Sequence, residues 1–246
     1  MTNLEIVFVI ALVAKISMGC LLEALNRQRV RQFGHEAPED LSDVMDAETY
    51  AKSNRYTLTK SRFSSFQMCV DGLVLSAVLL SGLLPAIFNW WSGIWASGNV
   101  SSAFFLIFVS MFLGILGIPF DYWSQFKIEE RFGFNRSSLK LWVSDKIKGA
   151  LIGLVIGFPL IWLLISFVGW LGDWWWIYAF ALMMAFQLLM MILYPMIIMP
   201  LFNKLSALEE GSLKDRLIDL SDRAGFKAKT IQVMDGSKRS GHSNAF

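Results

Sequence analysis

The chain of 246 residues contains two histidines, His35 and His242. His35 begins the string HEAPE, which shares its first two letters with HExxH, the motif in which two histidines one helical turn apart bind zinc and the glutamate acts as general base. Glu39 stands where the second histidine is needed, and Pro38 disfavours a regular helix. His242 has no histidine partner at helical spacing. We therefore expect no catalytic residue, no metal ligand and no bound zinc in this chain.

The remaining reactive side chains have simpler interpretations. Cys20 and Cys69 lie in apolar stretches, so we interpret them as small apolar residues rather than as a disulfide or thiolate ligands. Glu129 and Glu130 beside Arg131 have the composition of an acid/base pair. An exposed, charged helix end is the interpretation that we favour for them.

The composition is typical of a membrane protein. Hydrophobic residues make up 55% of the chain, charged residues 17%, and the mean hydropathy is +0.50. A soluble domain has about a quarter of its residues charged. The net charge of +2 gives no reason to expect nucleic-acid binding. The apolar composition makes the lipid bilayer the expected partner.

Five stretches are apolar and long enough to cross a bilayer, which takes roughly 20 helical residues. They cover about residues 4–25, 67–88, 103–123, 149–170 and 174–202. The fifth is over-long and contains Pro195 and Pro200 near its end. Because proline removes a backbone donor and clashes with the preceding turn, we predict that this span kinks or leaves the membrane there.

The connecting loops alternate in basic charge. Lysine and arginine are frequent in the first and third loops, about residues 26–66 and 124–148, and in the tail, but absent from residues 89–102 and 171–173. The positive-inside rule then predicts an N-terminus outside and both basic loops and the C-terminus in the cytoplasm. Tryptophans at the predicted outer interface agree with this orientation: Trp90, Trp91, Trp95, Trp170, Trp174, Trp175 and Trp176.

The cytoplasmic segments differ in how much their patterns predict. The first basic loop fits either an amphipathic hairpin or a solvated linker. In the tail, we predict a helix with Ser212 as its N-cap and Gly225 at its end, then a strand over residues 230–234 and a turn at Asp235. One helix and one strand cannot bury a core alone, so the tail is predicted to begin a small cytoplasmic α+β subdomain.

Lys15 and Asp71 are the charges nearest the bilayer interior. Ionisable residues within membrane spans usually face protein or a water-filled cavity, and we predict that these two line such a cavity. The alternative is that Lys15 extends to the interface and that Asp71 lies close enough to it to be hydrated.

Three strings identify a family resemblance. They are the third-loop string IEERFGFNRSSLKLWVSDKIKG (residues 128–149), the PLFNK string PLFNKLSALEEGSLK (200–214) and the DGSKRS string VMDGSKRSGHSNAF (233–246). Together with the layout of the spans, they resemble the CAAX prenyl protease 1 family of membrane zinc metalloendopeptidases. Ala207 stands where the family usually has proline.

The resemblance implies a fold, a substrate class and a cofactor. It implies an all-α integral membrane protein with about five transmembrane helices in residues 1–204 and the start of a truncated cytoplasmic peptidase domain in residues 205–246. The family's HExxH helix lies further downstream, so zinc is expected in the full-length enzyme, which cuts a peptide or prenylated peptide with zinc-activated water. Five residues are implied to lie beside the substrate, where an edge strand pairs with an extended peptide: His242, Ser243, Asn244, Ala245 and Phe246.

Several alternatives stay open at this point. Residues 242–246 also fit a solvated chain end. Lys238 and Arg239 fit either contacts with an anionic headgroup or substrate carboxylate, or the ordinary basic charge of a cytoplasmic segment. For the whole chain, the leading hypothesis is the inactive N-terminal portion of a metalloendopeptidase, and the alternative is a non-catalytic membrane scaffold or binding chamber.

Overall fold

The computed structural model describes residues 2–34, 45–225 and 230–241, so His35 and residues 242–246 lie outside the described residues. The chain is mainly helical. In chain order the elements are α1 (Asn3–Phe33), α2 (Ala47–Leu80), α3 (Leu83–Ile94), α4 (Asn99–Trp123), a π-helical turn (Ser124–Glu129), α5 (Leu139–Trp170), a 3-10 turn (Gly172–Trp174), α6 (Trp175–Leu193), a second π-helical turn (Tyr194–Ile198), α7 (Met199–Phe202), β1 (Leu205–Ala207), α8 (Ser212–Arg223), β2 (Gln232–Met234) and a 3-10 turn (Gly236–Lys238).

Five helical segments are long and apolar enough to cross a membrane. They are α1, α2, α4 with its π-helical turn, α5, and the continuous segment Gly172–Phe202. Most of their large apolar side chains are exposed in the isolated chain, as expected for helices whose outer surface contacts lipid. The predicted fold class, an all-α membrane protein with five spans and a small α+β tail, is confirmed.

The described chain forms two compact units, Met1–Asn135 and Arg136–Phe246. In the first unit, α1 and α2 form a long helical hairpin. The hydroxyl of Thr2 accepts a hydrogen bond from the Glu5 amide at 3.3 Å, and the Asp46 carboxylate accepts one from the Thr49 amide at 2.8 Å. These N-caps satisfy amides that have no partner within the helix.

Helices α1 and α2 both extend into the first basic loop. The expected loop covers about residues 26–66, whereas α1 continues to Phe33 and α2 already begins at Ala47. The segment 47–71 contains neither glycine nor proline, so nothing in it interrupts a helix once Asp46 has capped the first turn. Of the two interpretations of this loop, an amphipathic hairpin or a solvated linker, the hairpin agrees better with these helices.

The second span also ends earlier than predicted. Helix α2 stops at Leu80 rather than at residue 88, and Gly82 follows with a φ of +77°. This left-handed conformation suits glycine because a Cβ atom would be strained there. A separate helix, α3, then begins at Leu83, with Pro85 in its first turn, where a missing amide donor costs little.

In the second unit, the interruption predicted for the fifth span takes the form of a π-helical turn. The turn Tyr194–Ile198 contains Pro195, and the four-residue helix α7 contains Pro200. Because Pro195 donates no backbone hydrogen bond, the regular i to i−4 pattern cannot continue through it.

The tail contains one strand that the sequence analysis had not predicted. Strand β1 pairs antiparallel with β2, with Leu205 opposite Met234 and Ala207 opposite Gln232. Helix α8 begins at Ser212 with Gly211 at the N-cap, one residue earlier than predicted, and Gly225 follows it with a φ of +72°. β2 covers the last three residues of the predicted strand.

Candidate functional site

Arg239 is the centre of a hydrogen-bonded cluster in the second unit. Its Nε donates to Asp145 Oδ2 at 2.8 Å and its Nη2 to Asp145 Oδ1 at 3.2 Å. Nη1 donates to Asn203 Oδ1 at 2.9 Å, and Nη2 also donates to the Phe202 carbonyl at 2.5 Å. We call Arg239, Asp145, Phe202 and Asn203 the Arg239 cluster.

The planar guanidinium explains why an arginine occupies this position. Its donors form a rigid fork that matches both oxygens of a carboxylate, and further donors remain for the Asn203 amide and the Phe202 carbonyl. The hydrogen bonds to Asp145 raise the pKa of Arg239 above its ordinary value, against the opposing effect of partial desolvation.

Asp235 holds the neighbouring turn. Its Oδ1 accepts a hydrogen bond from the Lys204 amide at 2.8 Å, and its Oδ2 lies 2.7 Å from Lys238 Nζ. Hydrogen bonds from Lys238 and from the Lys204 backbone hold the pKa of Asp235 below its usual value. In the same unit, Lys148 Nζ donates to the Leu201 carbonyl at 3.1 Å.

These contacts bring together segments of all three strings that carry the family resemblance. Asp145 and Lys148 belong to the third-loop string, Asn203 and Lys204 to the PLFNK string, and Arg239 to the DGSKRS string. Asp145 binds the guanidinium of Arg239, so this residue also holds the tail to α5, a role that the sequence analysis did not predict. Lys238 is 64% exposed and pairs with Asp235.

A second cluster lies in the first unit around Glu129. Tyr56 donates its hydroxyl to Glu129 Oε1 at 2.6 Å, and Lys60 Nζ donates to the same oxygen at 3.0 Å and to the Tyr56 hydroxyl at 2.8 Å. The Tyr56 ring packs edge-on against Phe132 and Phe134, with ring centroids 5.3 Å and 4.9 Å apart. We call Tyr56, Lys60 and Glu129 the Glu129 cluster.

The prediction that Glu129 and Glu130 form an exposed helix end is wrong for Glu129. Its residue is only 9% exposed, whereas Glu130 is exposed. The π-helical turn Ser124–Glu129 places Glu129 in contact with α2. Tyr56 and Glu129 are 73 residues apart, and no periodicity in the sequence links them.

The two charges predicted to lie in the membrane line the same cavity. Lys15 of α1 and Asp71 of α2 both border a space of about 320 Å³, together with Ser64 and Gln67. Nearby, the two helices pack closely at Gly72 and Gly19, where an added Cβ atom would clash with Ile16 and Met68, respectively. Small residues allow this close approach, which is a common way of packing membrane helices.

Polar side chains also join the same two helices nearer their basic ends. Arg27 Nη1 donates to Ser61 Oγ at 3.0 Å and to Ser65 Oγ at 2.8 Å, and Ser61 Oγ donates to Glu23 Oε2 at 2.5 Å. Cys20 and Cys69 are free thiols, and their Sγ atoms lie 3.9 Å apart.

The predicted substrate-side residues, His242, Ser243, Asn244, Ala245 and Phe246, lie outside the described residues. Among residues 2–34, 45–225 and 230–241, no three His, Cys, Asp or Glu side chains are grouped so that they could hold a metal ion. With only two histidines in the sequence, neither in an HExxH motif, the residues present do not fit the usual zinc site of a metallopeptidase.

Comparison with known proteins gives a consistent result. Residues 26–204 match the family described as the CAAX prenyl protease N-terminal domain with five membrane helices. CAAX prenyl protease 1 of Saccharomyces cerevisiae is 36% identical over 236 residues, covering 89% of this chain and 51% of the yeast protein. The CAAX prenyl protease 1 homolog of Homo sapiens is 31% identical over 230 residues, covering 91% of this chain and 48% of the human protein.

The solved structures extend this similarity to the fold. The crystal structure of S. mikatae Ste24p superposes with a TM-score of 0.89 at 32% sequence identity, covering 100% of this chain and 58% of that one. The chain thus spans about half the length of the curated relatives that it matches.

Proposed function

Because the chain belongs to the CAAX prenyl protease N-terminal family, we propose that it is the membrane-spanning portion of a metalloendopeptidase that processes prenylated CAAX proteins. It is a multi-pass integral membrane protein. The proposed substrate is a peptide or prenylated peptide, as the names of its relatives indicate.

The Arg239 cluster is the observation that carries this proposal. It connects the first turns of α5, the end of α7 and the turn after β2 through side chains from the three strings that resemble the family. A generic five-helix scaffold does not need a bidentate ion pair that ties its tail to α5. The cluster fits a protein in which the segment after Arg239 must be held in a fixed position.

The catalytic metal is proposed to be zinc in the full-length enzyme. When bound, zinc activates a water molecule for attack on the peptide bond. The residues of this chain do not fit the zinc site, so the metal ligands and the general base are assigned to the rest of the longer protein. This chain contributes the membrane-spanning helices and the positioning of the tail.

Residues 242–246 are proposed to contact the substrate. They follow Arg239 and Asp235, whose side chains fix the preceding turn to the end of α7 and to Lys204. The resemblance implies an edge strand at these residues, and such an edge offers backbone donors and acceptors to an extended peptide. Replacing Asn244 by proline should raise the KM for a CAAX peptide in the full-length enzyme, and an unchanged KM would argue against this role.

Lys15 and Asp71 are proposed to face a water-filled chamber. Both border the same cavity, and charged groups in membrane spans are costly unless water or protein partners surround them. Cysteines placed at these positions should react with a small water-soluble maleimide. Labelling no faster than at the lipid-facing position Val13 would contradict the proposal.

The proposed orientation has the N-terminus outside and the C-terminus in the cytoplasm. It is supported by basic residues in alternate loops and by tryptophans near the loops that lack them. In a variant lacking Cys20 and Cys69, a cysteine at Ser97 should react with an impermeant maleimide in intact cells. A cysteine at Ser137 should react only after permeabilisation, and the opposite pattern would reverse the topology.

The activity itself is tested by comparing two proteins. The 246-residue chain and the full-length protein would be purified in detergent and given a farnesylated CAAX peptide. We expect chelator-sensitive cleavage by the full-length protein and neither cleavage nor stoichiometric zinc with the 246-residue chain. Cleavage by the chain alone would overturn the assignment of the metal site, and no cleavage by the full-length protein would favour a scaffold function.

A further inference from the structure

A basic pocket lies beside the Glu129 cluster in the first unit. It has a volume of about 420 Å³, within the usual range for small-ligand sites. Four of its lining residues are cations, Lys52, Arg55, Arg62 and Arg131, and Leu58 and Phe132 contribute apolar walls. We call this cavity the basic pocket.

Helical spacing explains how one pocket collects so many cations. Lys52, Arg55 and Arg62 of α2 are separated by three and seven residues, so their side chains project from one face of the helix. Arg131 follows the first π-helical turn, whose contact with α2 is fixed when Tyr56 and Lys60 bind Glu129. The Glu129 cluster therefore brings Arg131 to the basic face of α2.

The four cations lack anionic partners within the described residues. No ion pair is formed by Lys52, Arg55, Arg62 or Arg131 in residues 2–34, 45–225 and 230–241. The nearest buried carboxylate, Glu129, is already bound by Lys60. Like charges gathered around one cavity repel each other, and an anion bound among them relieves that repulsion.

The position of the basic pocket along α2 indicates a lipid headgroup. Arg62 is the last basic residue of α2, so it marks the boundary between the polar and the membrane-spanning parts of the helix. Lys52 lies ten residues earlier, about 15 Å further along the axis at 1.5 Å per residue. The headgroup layer on one side of a bilayer is only about 5–8 Å thick. A ligand that contacts both Arg62 and Lys52 must therefore have a larger headgroup than a simple phospholipid has.

We propose that the basic pocket binds the multiply phosphorylated headgroup of a phosphoinositide from the surrounding membrane. The glycerol-linked phosphate contacts Arg62 at the boundary, and the ring phosphates contact Arg55, Lys52 and Arg131. Leu58 and Phe132 cover the apolar face of the ring. Basic pockets at the ends of membrane helices are suited to this type of headgroup.

Binding would be measured on the full 246-residue chain in a non-ionic detergent. The probe is dioctanoyl phosphatidylinositol 4,5-bisphosphate, with dioctanoyl phosphatidylcholine as the neutral lipid control and inositol 1,4,5-trisphosphate as the soluble headgroup. We expect saturable binding of the bisphosphate lipid, weaker binding of the soluble headgroup and none of phosphatidylcholine. Equal affinity for lipid and soluble headgroup would overturn the assignment to a lipid.

Two triple variants separate the basic pocket from general basic charge. Arg55→Gln, Arg62→Gln and Arg131→Gln together should weaken binding about a hundredfold, since each basic residue near an anionic lipid contributes roughly fivefold. The control triple, Lys140→Gln, Arg216→Gln and Arg223→Gln, removes the same charge from exposed positions outside the pocket and should change affinity less than about twofold. Equal losses in the two triples would refute a specific site.

A third variant distinguishes the loss of a binding site from misfolding. Replacing Arg55, Arg62 and Arg131 by lysine keeps all three charges, and because lysine also binds phosphate, binding should fall less than about fivefold. A complete loss of binding in this variant, with an unchanged melting temperature of the free protein, would show that charge is not what the pocket supplies and would overturn the proposal.

Discussion

At the scale of single residues, Arg239 and Glu129 make tertiary contacts that the residues next to them in the sequence do not predict. Arg239 binds a carboxylate 94 positions earlier in the chain, and Glu129 accepts a hydrogen bond from a tyrosine 73 positions earlier. Local patterns predicted only that both residues lie in charged segments. Helical and strand periodicity describe single segments, so they cannot predict which distant residue each of these side chains contacts.

Arg239 is expected to contribute to stability through geometry as well as charge. Arg239→Ala should lower the free energy of unfolding by about 1–2 kcal/mol, since charge-assisted hydrogen bonds are lost at a partly exposed site. Arg239→Lys keeps the charge but loses the fork, and should recover less than half of that stability. Chemical denaturation in detergent measures both variants, with Lys238→Ala as the exposed neighbouring control.

The cause of any loss at Arg239 can be assigned with a double-mutant cycle. If Asp145 is the main partner, Arg239→Ala should cost much less in an Asp145→Asn background than in the original protein. Equal costs in the two backgrounds would show that the pair contributes nothing.

Glu129 and Glu130 form a matched pair for a second prediction. Glu129→Ala should cost about 1–2 kcal/mol because the partly buried Tyr56 hydroxyl and the Lys60 ammonium group both lose their acceptor. Glu130→Ala removes the same group from an exposed position and should change stability by less than about 0.5 kcal/mol. The melting temperatures of the two variants test this, and similar values would contradict the burial of Glu129.

Asp235 predicts a dependence of stability on acid. Its pKa is lowered in the folded protein by Lys238 and by the Lys204 amide, so its contribution to stability is complete above the unfolded pKa of about 3.9 and is lost as the pH falls through the folded value. Melting temperatures of the original protein and of Asp235→Asn should therefore differ at pH 6, and the difference should shrink as the pH falls below about 4 and through the folded pKa of Asp235. A difference that persists unchanged at low pH would exclude this role of the carboxylate.

At the scale of elements, hydropathy predicted which segments span the membrane better than where they end. The length of the apolar stretches identified all five spans, because a run of about 20 mostly apolar residues is typical of a transmembrane helix. The ends depend on capping and on backbone geometry. The Asp46 cap extended α2 into a polar segment, and the left-handed Gly82 ended it within an apolar one.

Strand β1 shows another limit of the pattern. LSA, residues 205–207, is too short to reveal alternation, and it becomes a strand only because β2 pairs with it. β2 itself was predictable from the alternating residues that end before Asp235. Short strands of this kind are defined by their partner rather than by their own residues.

The close packing of α1 and α2 predicts a specific cross-link. With their Sγ atoms 3.9 Å apart, Cys20 and Cys69 should form a disulfide when copper phenanthroline and oxygen accept two electrons and two protons from the thiols. Intact mass should fall by two hydrogen atoms and recover after reduction. Cys20→Ser and Cys69→Ser are the controls, and failure to oxidise would place the two helices in a different register.

At the scale of the whole molecule, the family and the membrane class were predictable, whereas the internal connections were not. The three strings that identify the family are contiguous in sequence, so they were recognised directly. The Arg239 cluster joins residues of these three strings in the second unit, and its contacts are between residues too far apart in sequence to be predicted from local patterns. The basic pocket likewise depends on Arg131 meeting α2, although the helical spacing of its other cations was already present in the sequence.

The distance along the chain between Asp145 and Arg239 also has a consequence for biosynthesis. The two residues are 94 positions apart, and at about 5–20 residues per second a ribosome needs roughly 5–20 seconds to add that length. The carboxylate of Asp145 is therefore synthesised seconds before the guanidinium that binds it exists. Translation thus sets an order in which α5 comes first, and the contact that ties the tail to it forms late in the synthesis of the second unit.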